Sequence, residues 1–231
     1  MDRALNQFEV TGRSRSHIAQ IAKPRLAAQP EVAEAFLDMR ADAATAGFDL
    51  LPVSTFRDFD TQLRIWNMKF SGKKPLYDMQ GKVRDASLLS PQQIMDCILN
   101  WSALPGGSRH HWGTEIDVVD AAAMPTGYQP KLLPEEVQPG GIFFPMHVWL
   151  DQNMKHYGFF RPYQRFVGGM FPEPWHLSYA SASAAALAQL SVELLVEVID
   201  GSAILAKNIV VERIPAIYRN HIINFVGPDQ Q

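Results

Sequence analysis

Apolar residues recur at helical spacing in several windows of this chain. Val32, Ala35, Phe36, Met39 and Ala43 fall on one face behind Pro30 and Glu31, which predicts a helix that Gly47 ends as a left-handed cap. Phe48 to Ser54 reads as a strand. Asp58 and Asp60 suit the first turn of a second helix, where the dipole favours negative charge, and Phe59, Leu63, Trp66 and Phe70 form its core stripe. Gln62 flanks that stripe. Ser71 to Leu89 is polar and reads as an exposed excursion. Ser90-Pro91-Gln92-Gln93 then combines a cap, a first-turn proline and a reciprocal glutamine, so it starts a third helix, with Ile94, Cys97, Ile98 and Trp101 as its stripe.

After Leu104-Pro105-Gly106-Gly107 turns the chain, Thr114 to Val119 reads as a strand. From Asp120 to Gly141, Pro125, Gly127, Pro130, Pro134, Pro139 and Gly140 are too dense for a long regular element. A loop of that length in a compact domain is more often functional than idle, so this one is expected to border a cleft. Met146 to Tyr157 is expected to be a helix closed by Gly158, Phe159-Phe160 a short strand, and Trp175 to Tyr179 another. Arg161 to Met170, rich in arginine, aromatics and glycine, is expected to form a further wall of the cleft. Ala184 to Ile199 is strongly helix-forming. Asp200-Gly201-Ser202 breaks that pattern, and Ala203 to Ile222 forms a last helical region interrupted by Pro215.

With 231 residues, 47% hydrophobic and 19% charged, the chain is globular and long enough for a substantial core. The composition changes beyond Tyr179, and the chain reads as an N-terminal segment 1–29, a main domain 30–180 and a helical C-terminal extension 181–231. A net charge of -3 without any basic run argues against nucleic acid as a partner. The single cysteine, Cys97, excludes an intrachain disulfide and cysteine-rich metal modules, and its helical face reads as core. Neither a signal-peptide core nor a membrane span is legible, so the chain as it stands reads as cytoplasmic, or as a cell-envelope protein whose leader was removed.

The candidate chemistry lies in Ser108-Arg-His-His-Trp-Gly-Thr-Glu-Ile-Asp117, answered by Glu173-Pro-Trp-His176. These segments supply imidazoles and carboxylates, the ligand types of a catalytic zinc ion that keeps one position open. His110 and Asp117 are seven apart, an odd spacing that one continuous strand would send to opposite faces. Gly113, free to take a positive φ, breaks the period and lets His110 sit in a turn feeding the strand of Asp117. His111 is an equal candidate on spacing alone. Pro174 biases Glu173 toward extended backbone, so His176 becomes the third ligand at the head of a strand, with Glu173 at the mouth of the site. Left unliganded, Glu173 is placed to act as general base. His17, His147, His156 and His221 read as packed or surface residues.

Ser108-x-His110-x-x-Gly113 followed by Asp117, then Glu173-x-Trp175-His176, resembles the signature of the D-alanyl-D-alanine carboxypeptidases of the VanY type, which group with the lysostaphin-like and hedgehog-like zinc folds. Ser54-Thr-Phe-Arg57 followed by Gln62 resembles that family's upstream Ser-x-Tyr-Arg segment. The resemblance runs from about Phe36 to Tyr179. It favours His110 over His111 and implies zinc on His110, Asp117 and His176, Glu173 as catalytic base, and Arg57, with Gln62 and Ser108, on the substrate. Phe56 replaces the usual tyrosine, and Glu115 stands where the family prefers a small residue. Leaning to the same face as Asp117, Glu115 narrows the site, pairs with a basic group or alters substrate preference.

The fold expected is α+β: a small, mainly antiparallel sheet bearing the zinc site, flanked by helices, with a C-terminal helical extension. The antiparallel order is what the resemblance implies. The function implied is zinc-dependent removal of the C-terminal D-alanine from a peptidoglycan stem peptide or muropeptide, of D-Ala-D-Ala or L,D type. An endolysin-like endopeptidase and a non-catalytic zinc-containing peptide-binding module are the rival readings.

Overall fold

The computed structural model describes residues 4–230. Its elements in chain order begin with a short helix α1 (Gln7–Val10) and a hairpin of β1 (Ala19–Ile21) and β2 (Leu26–Ala28), followed by α2 (Pro30–Thr45), β3 (Leu50–Ser54) and α3 (Phe59–Phe70). A second small hairpin, β4 (Leu76–Tyr77) and β5 (Val83–Arg84), precedes α4 (Pro91–Leu99) and β6 (Glu115–Asp120). Then come α5 (Pro134–Val137), α6 (Phe144–Asn153), β7 (Phe159–Phe160), β8 (His176–Tyr179), α7 (Ala180–Leu187), α8 (Val192–Asp200) and α9 (Lys207–Ile217).

Local chemistry sets several of these boundaries. Pro30 occupies the first turn of α2 and Gly47 follows its end with φ 91°. Asp58 caps α3 by accepting from the Thr61 amide at 2.8 Å. At α4, Ser90 and Gln93 form the reciprocal capping box that the sequence predicts.

The central sheet has four strands in the order β3-β6-β8-β7, all pairings antiparallel. Pro52 is tolerated because β3 is an edge strand, and the register with β6 shifts between Pro52 and Ser54. Strand alternation decides what faces where. Ile116 and Val118 join a core with Leu50 and Leu177, covered by Phe36 and Met39 of α2 and by Met146 and Leu150 of α6. Glu115 and Asp117 therefore turn to the other face, and both are buried there.

A second core gathers Trp66 of α3, Met95 and Ile98 of α4, Leu195 and Ile199 of α8, and Val210 and Ile214 of α9. Leu5 and Val10 from the N-terminal segment join it, as does Trp112, whose indole donates to the Val10 carbonyl at 3.1 Å. The C-terminal helices thus pack on the site-bearing half of the molecule. No single helix among the described residues is long and apolar enough to cross a membrane.

One expectation needs correction. Ala184 to Ile199 is not one helix: it belongs to α7 and α8, which meet at a 74° bend. Ser191 causes the restart, its side chain capping α8 at the Leu194 amide. Ser71 to Leu89 is largely exposed, as expected, and the short β4 and β5 strands pair within it. Pro215 sits inside α9, and the helix continues past it to Ile217 before a π-helical turn over Tyr218–Ile222.

Candidate metal centre and active-site cleft

Gly113 takes φ 68° and closes a short 3-10 turn over Arg109–Trp112, which lifts His110 out of the strand and lets β6 begin at Glu115. An added Cβ at Gly113 would lie 2.3 Å from Ile18 Cδ1, which would have to move, and 3.2 Å from the Gln29 amide, and the positive φ strains any other residue there. In the β6–β8 register Asp117 lies opposite His176. One atom from each of His110, Asp117 and His176 falls within 4.8 Å of the others, and all three residues are buried. His110 Nε2 is 3.4 Å from Asp117 Oδ2, and His176 Nδ1 is 3.0 Å from Asp117 Oδ1.

The far nitrogen of each histidine is already committed. His110 Nδ1 donates to the Thr55 carbonyl at 2.9 Å, and His176 Nε2 donates to Glu115 Oε2 at 2.7 Å. Carbonyl and carboxylate oxygens only accept, so His110 Nδ1 and His176 Nε2 carry protons there. Burial opposes charge on His176, but its place between Asp117 and Glu115 pushes its pKa up to about 10, so its Nδ1 is protonated toward Asp117 until a metal takes that proton's place. Asp117 Oδ1 is itself buried without a hydrogen-bond partner. Two imidazole nitrogens with a buried carboxylate oxygen, all within 4.8 Å, fit the donor set of a divalent metal ion.

His111, equal to His110 on spacing, has no free nitrogen. Its Nδ1 donates to the Arg57 carbonyl at 2.6 Å and its Nε2 accepts from the Gly106 amide at 3.0 Å. Burial pulls its pKa down to about 3, so it stays neutral and ties the Arg57 segment to the turn before His110.

Glu173 is held by backbone on both sides. Its amide donates to the Tyr163 carbonyl at 2.9 Å, and its carbonyl accepts from the His176 amide at 3.0 Å. Its Oε2 lies 3.7 Å from His176 Nδ1. Burial, with the charge of Asp117, raises its pKa to about 7 against the pull of His176, Lys69 and Arg57. Asp117 behaves oppositely: burial would raise it, but His110 and His176 hold it far below the usual carboxylate range. One carboxylate is therefore held ionised while its neighbour is pushed toward neutrality.

These groups open into a cavity of about 320 Å³ lined on one side by Ser108, His110, Asp117, Glu173 and His176. Arg57, Lys69, Tyr77, Trp101, Lys131 and Tyr163 are among its other walls. Trp175 also lines it, stacked on Trp101 with 6.3 Å between ring centroids. Lys69 donates to Ser102 Oγ at 2.6 Å, and burial lowers its pKa to about 8. The loop after β6 reaches the cavity through Lys131, Leu132 and Leu133, and the 161–170 stretch through Tyr163 and Met170.

Gln62 occupies a different place from the one expected of it. It is fully buried and does not line the cavity. Its Oε1 accepts from Arg57 Nη1 at 2.8 Å and its Nε2 donates to the Ala103 carbonyl at 2.7 Å. Arg57 Nη2 meanwhile donates to Ser54 Oγ at 2.7 Å. Gln62 and Ser54 thus hold Arg57 from behind while its guanidinium faces the cavity. Lys69 and Tyr77 carried no sequence signal of their own. Lys69 lies on α3 seven positions after Gln62, close to two helical turns, and that spacing was the one available hint.

A family model described as VanY, D-alanyl-D-alanine carboxypeptidase, matches residues 25–182. An uncharacterized protein of Haemophilus influenzae is 33% identical over 122 residues, 52% of this chain and 93% of that protein. A D-alanyl-D-alanine carboxypeptidase of Enterococcus faecalis is 30% identical over 88 residues, 37% of this chain and 27% of that one. Among solved structures, VanYB in complex with D-alanine-D-alanine superposes with a TM-score of 0.52 at 21% identity, covering 80% of this chain and 88% of that one. A mutant of the vancomycin-resistance D,D-pentapeptidase VanY in complex with Zn(II) gives a TM-score of 0.51 at 20% identity, covering 74% of this chain and 84% of the other. At that identity the two structures share the fold.

Proposed function

This chain belongs to the VanY family of D-alanyl-D-alanine carboxypeptidases, and from that premise we propose that it is a zinc-dependent carboxypeptidase that releases the C-terminal D-alanine of peptidoglycan stem peptides. Hydrolysis of a peptidoglycan peptide is the activity of the family. Zinc and the D-alanine terminus are the finer reading, and the solved relatives holding Zn(II) and D-alanine-D-alanine support it.

The observation that carries the reading is the convergence of His110, Asp117 and His176 at the wall of the cavity that Glu173 and Arg57 also line. His110 Nε2, Asp117 and His176 Nδ1 would hold the ion. Zinc, when bound, supplies Lewis acidity that polarises a carbonyl and lowers the pKa of water toward neutrality. Glu173 Oε2 takes the proton of the attacking water and returns it to the leaving amine, a role that its elevated pKa suits. Arg57, fixed by Gln62 and Ser54, holds a substrate oxygen. If that oxygen is the developing oxyanion, removing Arg57 lowers kcat; if it is the terminal carboxylate, removal chiefly raises KM. Trp101 and Tyr163 close the cavity sides around a short peptide terminus.

The test is mass spectrometry of zinc-loaded protein incubated with a stem pentapeptide and a stem tetrapeptide, beside a chelated control. Chelator-sensitive loss of one alanine is the expected result, and the preferred peptide distinguishes D,D from L,D cleavage. Internal fragments would replace the exopeptidase by an endopeptidase. Intact peptides beside stoichiometric metal would leave only a peptide-binding role.

A further inference from the structure

Glu115 is a fully buried carboxylate beside the candidate metal centre, and every one of its partners is a polar group of the site or of the segments that carry it. Glu115 and Asp117 project from one face of β6, and in the antiparallel register His176 lies opposite Asp117 while Ser178 lies opposite Glu115. The His176 ring therefore slots between two carboxylates of the neighbouring strand. Nδ1 meets Asp117 Oδ1 at 3.0 Å and Nε2 meets Glu115 Oε2 at 2.7 Å.

The other oxygen of Glu115 is fixed as well. Oε1 accepts from Ser178 Oγ at 2.8 Å and from Thr114 Oγ1 at 2.9 Å, and Arg109 Nε lies 3.3 Å away. Glu115 is 0% exposed, so its carboxylate has no solvent-facing alternative. Arg109 is clamped between the rings of Trp112 and Phe225, at 4.8 and 4.7 Å, and immediately precedes His110. A continuous polar chain thus runs from the segment bearing His110, through Arg109 and Glu115, to His176.

We propose that Glu115 is a positioning residue for the metal centre: it takes the Nε2–H of His176 and fixes the ring, so that Nδ1 is the nitrogen presented to a metal beside Asp117 and His110. This rests on the reading of His176 as a metal ligand. A carboxylate behind a ligating imidazole fixes ring orientation and raises ligand basicity, and its loss typically weakens metal affinity by about 10- to 100-fold. The competing account is that Glu115 merely neutralises buried Arg109, in which case its removal affects folding and leaves the affinity of the folded protein alone.

The experiment measures the zinc Kd of the full chain by competition with a chromophoric chelator, alongside urea unfolding of the metal-free protein. Glu115→Gln keeps shape and an acceptor oxygen but loses the charge, and it is expected to weaken zinc binding about 10-fold, with Glu115→Ala nearer 100-fold. Ser178→Ala removes hydrogen bonds to both Glu115 and Arg109 yet leaves the Glu115–His176 bond, so its Kd should stay within about twofold of wild type. Should Glu115→Gln fail to fold, the pair Glu115→Gln with Arg109→Gln, which leaves no buried charge uncompensated, takes its place with the same expected loss. Folded Glu115 variants with the wild-type Kd would overturn the proposal, and so would an equal loss in Ser178→Ala. Wild-type protein that binds no zinc would overturn the metal reading, and the proposal with it.

Discussion

Replacing Gln62 by leucine separates a residue that touches substrate from one that acts through its neighbour. Leucine keeps most of the volume but removes the amide that bridges Arg57 Nη1 at 2.8 Å and the Ala103 carbonyl at 2.7 Å. The Ala103 carbonyl loses its side-chain donor and Arg57 loses an acceptor, both at the fully buried position of Gln62, at a cost of about 1–3 kcal/mol. That loss, at about 2–4 °C per kcal/mol for a chain of this size, lowers Tm by roughly 2–12 °C. Metal binding should be unchanged, because Gln62 is not among the ligating residues. Activity should fall about 10- to 100-fold as Arg57 loses its support, equivalent to about 1.4–2.7 kcal/mol of transition-state stabilisation. The decisive assay is a double-mutant cycle with Arg57→Ala, followed as kcat/KM on a stem peptide. If Gln62 works through Arg57, Gln62→Leu costs almost nothing further in the Arg57→Ala background. An undiminished, additive loss there would refute the positioning account and return Gln62 to the substrate.

Two further perturbations test the scaffold. His147 Nδ1 accepts from Arg161 Nη2 at 3.1 Å, and burial followed by the Arg161 charge pulls its pKa down to about 3. The unfolded state protonates this histidine near pH 6.5 and the folded state only near 3, so its contribution is complete above 6.5 and is lost as pH falls through that window. Wild type should lose on the order of a few kcal/mol to this group by pH 4, and His147→Gln should show a flatter dependence of Tm on pH; parallel curves would exclude the histidine as the source. Gly113→Ala, at φ 68° and requiring Ile18 Cδ1 to move, should cost about 1–2 kcal/mol and weaken metal binding with it, because Gly113 links the turn of His110 to the strand of Asp117. Unchanged Tm and metal affinity in that variant would contradict the strain argument.

Much of this site could be read from the chain because its residues lie on short segments with distinct punctuation. Gly113 announced the change of period between His110 and Asp117, and the alternation of β6 separated Ile116 and Val118 from Glu115 and Asp117. The helices with strong end signals, α3 and α4, begin where Asp58 and Ser90 cap them. What escaped depends on long-range register. That Glu115 meets His176 and not the cavity follows only from the β6–β8 pairing, and that Gln62 turns toward Ala103 only from how α3 packs on the chain before the metal turn. His110 and His111 are neighbours on one turn, and the difference between them lies in their hydrogen-bond partners some fifty residues away in sequence, Thr55 and Arg57. The β4–β5 hairpin has strands too short for a period to register, and Val83 within it is exposed. The break between α7 and α8 was masked by an alanine-rich run whose propensity gave no reason to stop before Ser191.

The central claim is that a metal held by His110, Asp117 and His176 works with Glu173 as the proton carrier. The most direct measurement pairs zinc stoichiometry with release of alanine from a stem peptide, for wild type and Glu173→Gln under identical conditions. Both proteins are predicted to hold about one zinc per chain, with turnover in the variant reduced by about 10²- to 10⁴-fold, the range that general acid–base catalysis supplies. Near-wild-type turnover in Glu173→Gln, or a wild-type protein that releases alanine without any bound metal, would contradict it.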